Sequence, residues 1–160
     1  MSAPASFTLR PATAADRPFL ERVYAEARAD ELAVTGWSAD AKLAFCRSQF
    51  AAQDAHYRAH YPGCAFLVIE RAGRPVGRLY RARLDGEIRV VDIALLAAER
   101  GQGLGGRIMA DILAEAAAAG LAVRIHVERT NPARRLYERL GFRVVETGEM
   151  YDLLACDPLS

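Results

Sequence analysis

Apolar and polar positions follow two rhythms along this chain, one of period two and one of period three to four, and the switches between them mark out its elements. Phe7-Thr8-Leu9-Arg10 alternates as a strand and is stopped by Pro11. Thr13 is placed to cap a helix running to about Ala29, with Phe19 or Leu20, Val23, Tyr24 and Ala27 on its inner face. Asp30 to Trp37, with a glycine and mixed polarity, reads as a loop. Ser38 caps a second helix with Leu43, Cys46, Phe50 and Tyr57 on one stripe, ending near Tyr61-Pro62-Gly63. Ala65 to Glu70 and Pro75 to Ala82 form a hairpin across Arg71-Ala72-Gly73-Arg74. Asp85-Gly86 then turns the chain into an apolar strand, Ile88 to Leu96. A strong helix follows from Gly103 to Ala119, with Leu104, Ile108 and Ile112 at helical spacing. Leu121 to Val127 is a strand and Ala133 to Leu140 a short helix. Phe142 to Val145 and Met150 to Ala155 make a final hairpin around Thr147-Gly148.

The sum is an α/β protein of the α+β kind: a central twisted, mixed, mostly antiparallel sheet of about seven strands with helices on both faces. Its middle strand–helix–strand unit is expected to be parallel, joined by a right-handed crossover. No repeat or low-complexity linker interrupts the pattern, so residues 1–160 read as one domain, with 1–63 supplying two helices and 64–156 most of the sheet. An exposed C-terminal strand is expected, free to pair across a homodimer.

Composition narrows the partners. The chain is 52% hydrophobic with a formal net charge of +1, enough apolar content for a full core and no general pull toward nucleic acid or an anionic membrane. Lys42 is the only lysine. Cys46, Cys64 and Cys156 are odd in number and widely spaced, which suits reduced thiols in the cytoplasm better than a disulfide framework or a zinc site, so no metal is expected. Met1 to Ser6 is small and uncharged, without a signal pattern, and no apolar run is long enough to span a bilayer.

The chemistry concentrates at Arg100-Gly101-Gln102-Gly103-Leu104-Gly105-Gly106, between the strand ending at Leu96 and the helix behind it. Glycines at such a turn let backbone approach a ligand and aim several N–H groups one way, and the helix adds the positive end of its dipole. Arg100 and Arg107 bracket the turn with forked donors suited to phosphate, so an anionic, phosphorylated ligand is expected. A nucleotide P-loop is excluded, because Gly105, Gly106 and Arg107 stand where Gly-Lys-Ser/Thr is needed. The dinucleotide fingerprint G-x-G-x-x-G is matched literally by Gly101, Gly103 and Gly106, with Glu128 as the later acidic residue. Its context is missing, since a hundred residues precede the loop and few βα units follow.

Arg100-x-x-Gly103-x-Gly105 resembles the acyl-coenzyme A pyrophosphate loop of the GNAT N-acyltransferase superfamily. Leu136-Tyr137-Glu138-Arg139-Leu140-Gly141-Phe142 resembles its second motif, a Leu-Tyr pair before Gly-Phe. The resemblance covers residues 64 to 156, with the elements between the motifs in the right order. It implies an acetyl-CoA-dependent N-acetyltransferase acting on a small-molecule or peptide amine, in which residues 64–156 bind the cofactor and 1–63 face the acceptor. It further implies two splayed strands with the pantetheine arm between them, held by main-chain groups near Leu95 and Leu96. The pyrophosphate would lie on Arg100, Gly101, Gln102, Gly103, Leu104, Gly105, Gly106 and Arg107. A non-catalytic acyl-CoA binding or sensing module on the same fold is the rival from another class.

Within the resemblance, Tyr137 is the general acid that protonates the leaving thiolate. Its position on the stripe Ala133, Leu136, Tyr137, Leu140 equally suits a core tyrosine. The family often places an asparagine seven residues before that tyrosine. Here Asn131 is six before, and is either a cofactor contact or the cap of the short helix. Asp92, acidic within an apolar strand, is either the base that deprotonates the amine or the partner of an arginine such as Arg81. Glu128 and His126 are alternates. No Cys or Ser stands beside a His as in a covalent acyl-enzyme, so direct transfer in a ternary complex is the simpler chemistry. Trp37, Gln53 and Tyr57 are acceptor-site candidates, each also explicable as packing or surface.

Overall fold

A computed structural model describes residues 6–158; residues 1–5, read above for a targeting signal, lie outside it. The strands are β1 (Thr8–Pro11), β2 (Ala65–Arg71), β3 (Arg74–Leu84), β4 (Glu87–Leu95), β5 (Ala122–Glu128), β6 (Arg143–Thr147) and β7 (Tyr151–Cys156). The helices are α1 (Arg17–Ala33), α2 (Ala39–His60), α3 (Leu104–Ala119) and α4 (Arg134–Arg139), with 3₁₀ turns at Ala14–Asp16 and Ala97–Glu99. All seven strands form one sheet in the order β1-β2-β3-β4-β5-β7-β6. Only β4 and β5 run parallel, joined through α3, as the alternation of strand and helix patterns predicts.

The two sheet faces are covered differently. Val76 and Leu79 of β3, Ile88 and Val90 of β4, and Val123, Ile125 and Val127 of β5 pack with Leu104, Ile108, Met109 and Ile112 of α3 and with Tyr137 of α4. On the other face α1 and α2 form a smaller cluster, Leu20, Tyr24, Leu32, Cys46 and Phe50, over the β3–β4 half of the sheet. A bulge opposite Tyr80/Arg81 skips one residue of β4, so Ile93 and Leu95 return to the α3 face. Asp92 therefore points to the α2 side, where Tyr57 reaches it.

Four expectations change. Helix α1 runs to Ala33, so Asp30 and Glu31 belong to its last turns, where Leu32 is buried in the smaller cluster and Arg28 pairs with Glu31. Thr13 starts the first 3₁₀ turn, sharing a capping box with Asp16, instead of capping α1 directly. Leu43 is exposed, because Phe45 takes the packed position and meets Trp37 edge-on at 5.3 Å. The C-terminal strand is not an edge: β7 inserts between β5 and β6, burying Leu154 and Ala155 on six rungs with β5, and leaves β6 as the outer strand. All three cysteines are unpaired, and no helix among the described residues is long and apolar enough to cross a membrane.

Candidate active site

The parting of β4 from β5 creates the site. The two strands pair only from Glu87↔Ala122 to Val90↔Ile125; beyond that rung the ladder stops although both strands continue, to Leu95 and Glu128. Three residues separate Glu128 from the last rung, a distance of roughly 10 Å along an extended strand. Two main-chain edges thus face a gap at the carboxyl ends of parallel strands, where ligands of open α/β sheets lie.

The glycine loop closes one end of this gap. Gly101 and Gly103 adopt φ of +75° and +83°, which a side chain would strain, and Gly103 immediately precedes α3. A Cβ at Gly101, Gly103 or Gly105 would meet nothing within 4 Å, so that side of the loop is open to a ligand. The N-terminal N–H groups of a sixteen-residue helix lie behind it. Distant residues brace the loop: Glu26 of α1 accepts from the Ala97 N–H at 2.7 Å. Buried Glu99 also ties Arg71 and Arg74 of the β2–β3 turn to the loop, at 3.5 and 3.0 Å.

The expected loop contacts divide into free and engaged groups. Arg100 is exposed and donates through Nε to the Leu95 carbonyl at 3.2 Å, leaving its outer nitrogens toward solvent. Gln102 joins Arg71 and the Ala98 carbonyl. Arg107 lies along α3 and pairs with Asp111, one turn down the helix. Leu96 has its N–H on the Val76 carbonyl and its own carbonyl on the Glu99 N–H. With Leu95's carbonyl also taken, the β4 backbone available for strand addition is that between Val91 and Leu95.

Tyr137 is 5% exposed, edge-on to Phe142 at 5.8 Å, and sits on the α3 side of the sheet. Burial pushes its phenol up to about 12, with a further contribution from the charge of Asp92. It is thus both a core residue and a protonated donor at neutral pH.

Asp92 is not paired with Arg81, which goes to Glu115 on α3. Its partner is Arg78 of β3, 3% exposed, whose Nη2 donates to Asp92 Oδ2 at 2.8 Å and to Gln53 Oε1 at 2.9 Å. The Tyr57 hydroxyl donates to the same Oδ2 at 3.1 Å. Burial first, and Asp92's charge second, raise the Tyr57 phenol, so it remains a donor. Burial opposes the charge of Arg78, but the Asp92 carboxylate at 2.8 Å outweighs it and holds the guanidinium protonated. Gln53 and Tyr57 are thereby brought together on one buried ion pair. Trp37 is not: Phe45, which it packs on, and Tyr57 are roughly 18 Å apart along α2.

Across the gap, Glu128 accepts from the Tyr151 hydroxyl at 3.2 Å. His126 lies on the same face with its ring partly covered, and that partial burial and Arg89 hold it toward the neutral form. Asn131 accepts from the Ala133 N–H through Oδ1 at 2.9 Å, bracing the turn that leads into α4; the N-cap of that helix is Ala133, not Asn131. A hollow of about 540 Å³ lined by Arg129, Asn131, Arg134 and Arg135 lies beside it. Sequence reasoning misses Arg78, Glu26 and Tyr151. Only Arg78 carries a signal, a charge inside the apolar stretch from Val76 to Tyr80.

Comparison with known proteins gives a consistent picture. The family model for the acetyltransferase (GNAT) domain matches residues 62–144, just over half of the chain. No curated protein sequence matches it. Among solved structures, the fold is similar to PaiA N-acetyltransferase from Thermoplasma acidophilum, crystallised with coenzyme A, at 14% identity and TM-score 0.70, over 95% of this chain and 99% of that one. It is also similar to a histone acetyltransferase HPA2-related acetyltransferase from Corynebacterium glutamicum, at 24% identity and TM-score 0.68, over 97% and 98%. The ribosomal-protein-S18-alanine N-acetyltransferase from Escherichia coli aligns at 18% identity and TM-score 0.61, over 97% and 96%. At these identities the likeness is one of fold.

Proposed function

The chain belongs to the GNAT acetyltransferase family, and from that premise we propose that it transfers the acetyl group of acetyl-CoA to a primary amine directly, in a ternary complex. The observation that carries this is the unpaired stretch of β4 and β5, with an open glycine loop at one end and a buried, protonated tyrosine of α4 on the α3 side of the same sheet. Acetyl-CoA supplies the acyl group as a thioester. The β4 backbone between Val91 and Leu95 pairs with the pantetheine amides as an added strand. Gly101 to Gly106, Arg100 and the start of α3 hold the pyrophosphate. Tyr137, on the α3 face, gives its proton to the sulfur as the C–S bond breaks, while the amine attacks from the α1–α2 face. Asp92 has its Oδ2 committed to Arg78 and Tyr57. We read it as fixing Tyr57 on the acceptor side.

The cysteines favour direct transfer over an acyl-enzyme. Burial raises the thiols of Cys46 and Cys156, and that of Cys64 to about 11, so none is a thiolate at neutral pH. Three unpaired thiols also favour the cytoplasm. Calorimetric titration with acetyl-CoA, then a thiol-release screen over amines, tests the whole. Saturable binding with acceptor-dependent release is expected; binding without release from any amine would leave a binding module instead. Parallel, ping-pong initial-rate patterns would sink direct transfer.

Arg100→Ala is expected to weaken coenzyme A binding by about tenfold, the scale of a charge-assisted hydrogen bond, and to leave pantetheine binding unchanged. Equal losses for both ligands, read by calorimetry, would remove Arg100 from the pyrophosphate.

A further inference from the structure

Resting on the acyl-transfer reading, we infer that Glu128 is the counter-charge and proton acceptor for the incoming ammonium, and that the acceptor is a cationic amine with no carboxylate near its reactive nitrogen. The inference comes from charge balance on the face that the acceptor must approach. Val123, Ile125 and Val127 of β5 point into the core beneath α3, so Glu128 points to the opposite face, the one carrying Asp92. Both residues lie past the last rung that joins β4 to β5. Each strand therefore carries a tyrosine–carboxylate pair on this face beyond the last rung, Tyr57–Asp92 at β4 and, through the β5–β7 rung, Tyr151–Glu128 at β5.

Their electrostatic situations differ. Asp92 is matched by Arg78 at 2.8 Å. On α1, Arg28 and Glu31 match each other at 2.8 Å. Glu128 has a phenol as partner and no cation within salt-bridge distance among the described residues. Its neighbour in sequence, Arg129, is turned to Asp152 at 3.2 Å. Of the two carboxylates past the last rung on this face, Asp92 is therefore compensated and Glu128 is not, and His126, two residues before Glu128 on the same face, is held toward its neutral form. An ammonium is attracted to Glu128, and a carboxylate beside the amine is repelled by it.

This geometry also separates the two proton transfers. Tyr137 donates to sulfur from the α3 face, and Glu128 takes the amine's proton from the α1–α2 face, with the thioester in the gap between. Glu128 takes the first of the two protons that the ammonium must lose, which frees the lone pair that forms the C–N bond; the thiolate leaves with its electron pair and takes the Tyr137 proton. The second nitrogen proton goes to solvent, from which Tyr137 is reprotonated, so that one proton is released overall; a neutral amine such as aniline enters without the first proton. No further reactant is needed.

The experiment compares three acceptors with the full chain at neutral pH: 1,4-diaminobutane, 4-aminobutanoate, which replaces the second amine by a carboxylate, and aniline, which is uncharged at that pH. Wild type and Glu128→Gln are expected to bind acetyl-CoA equally by calorimetry, which reads the acyl-transfer proposal separately. Wild type is expected to favour 1,4-diaminobutane over 4-aminobutanoate in kcat/KM by roughly tenfold or more. Glu128→Gln should lower kcat/KM for 1,4-diaminobutane by roughly tenfold or more and change that for aniline by less than about threefold. Glu128→Asp should recover part of the loss. A preference for 4-aminobutanoate overturns the acceptor class. An unchanged rate with the diamine, or an equal loss with aniline, overturns the role of Glu128. Absence of acetyl-CoA binding overturns the acyl-transfer reading itself, and this inference with it.

Discussion

Phenylalanine in place of Tyr137 is expected to lower turnover by roughly a hundredfold or more, the scale of a lost general acid, with acetyl-CoA affinity within about twofold of wild type. The ring would keep its burial and its edge contact with Phe142 at 5.8 Å, so the change removes one hydroxyl and little packing. Initial rates and calorimetry together check it. An unchanged rate would return Tyr137 to the core alone. The same residue sets a pH dependence. Its phenol is pushed up to about 12, chiefly by burial, against roughly 10 in an unfolded chain. A pKa raised on folding means that the native state favours the protonated phenol. That stability is whole below pH 10 and drains as pH rises through 12, a total of about 2–3 kcal/mol by linkage. Urea unfolding between pH 8 and 11 should therefore show wild type losing stability faster than Tyr137→Phe as the solution becomes alkaline. Equal slopes would contradict the buried, protonated phenol.

The second large effect falls on stability. Removing Arg78 by mutation to alanine should cost about 3–5 kcal/mol, because it strands Asp92 in the interior beneath α2. At roughly 2–4 °C per kcal/mol for a chain of this size, the melting temperature would fall by about 6–20 °C. The ion pair itself is not an efficient stabiliser. Arg78 keeps Nε and Nη1 without hydrogen-bond partners among the described residues, and the adjacent Tyr80 hydroxyl is likewise unpaired. Replacing both charges with apolar residues, Arg78→Met with Asp92→Leu, is thus expected to recover most of the lost stability. That double variant would still lack the group that holds the Tyr57 hydroxyl, so its rate should stay low while its fold returns. Thermal unfolding and initial rates on the two single variants and the double separate these roles. Recovery of both stability and rate would show that the pair does nothing for the acceptor.

Most of the sheet and the cofactor end of the site are legible in sequence because they rest on local physics. Alternating strands, the Leu104, Ile108, Ile112 stripe and the Gly101-to-Gly106 turn each announce themselves within a few residues. The β4–α3–β5 crossover follows from their order. The acceptor end is different. Asp92 is conspicuous as an acid in an apolar strand, yet its partner is Arg78, fourteen residues away across a β-ladder, while the nearer-looking Arg81 turns to Glu115 on α3. The bulge at Tyr80/Arg81 decides this, since one skipped residue of β4 changes which side chains share a face. Glu26 on the Ala97 N–H spans seventy-one residues, and no local spacing predicts it.

The sequence by itself determined the elements, the parallel crossover and the anion-binding turn, because hydrophobic period, glycine placement and helix dipoles act over a turn or a rung. Only the tertiary structure decided that β4 and β5 part after Val90↔Ile125, that β7 lies inside the sheet, and which carboxylate stands uncompensated beside the gap. Those outcomes depend on strand twist, register and the pairing of charges far apart in the chain, terms that exist only once distant segments are packed together.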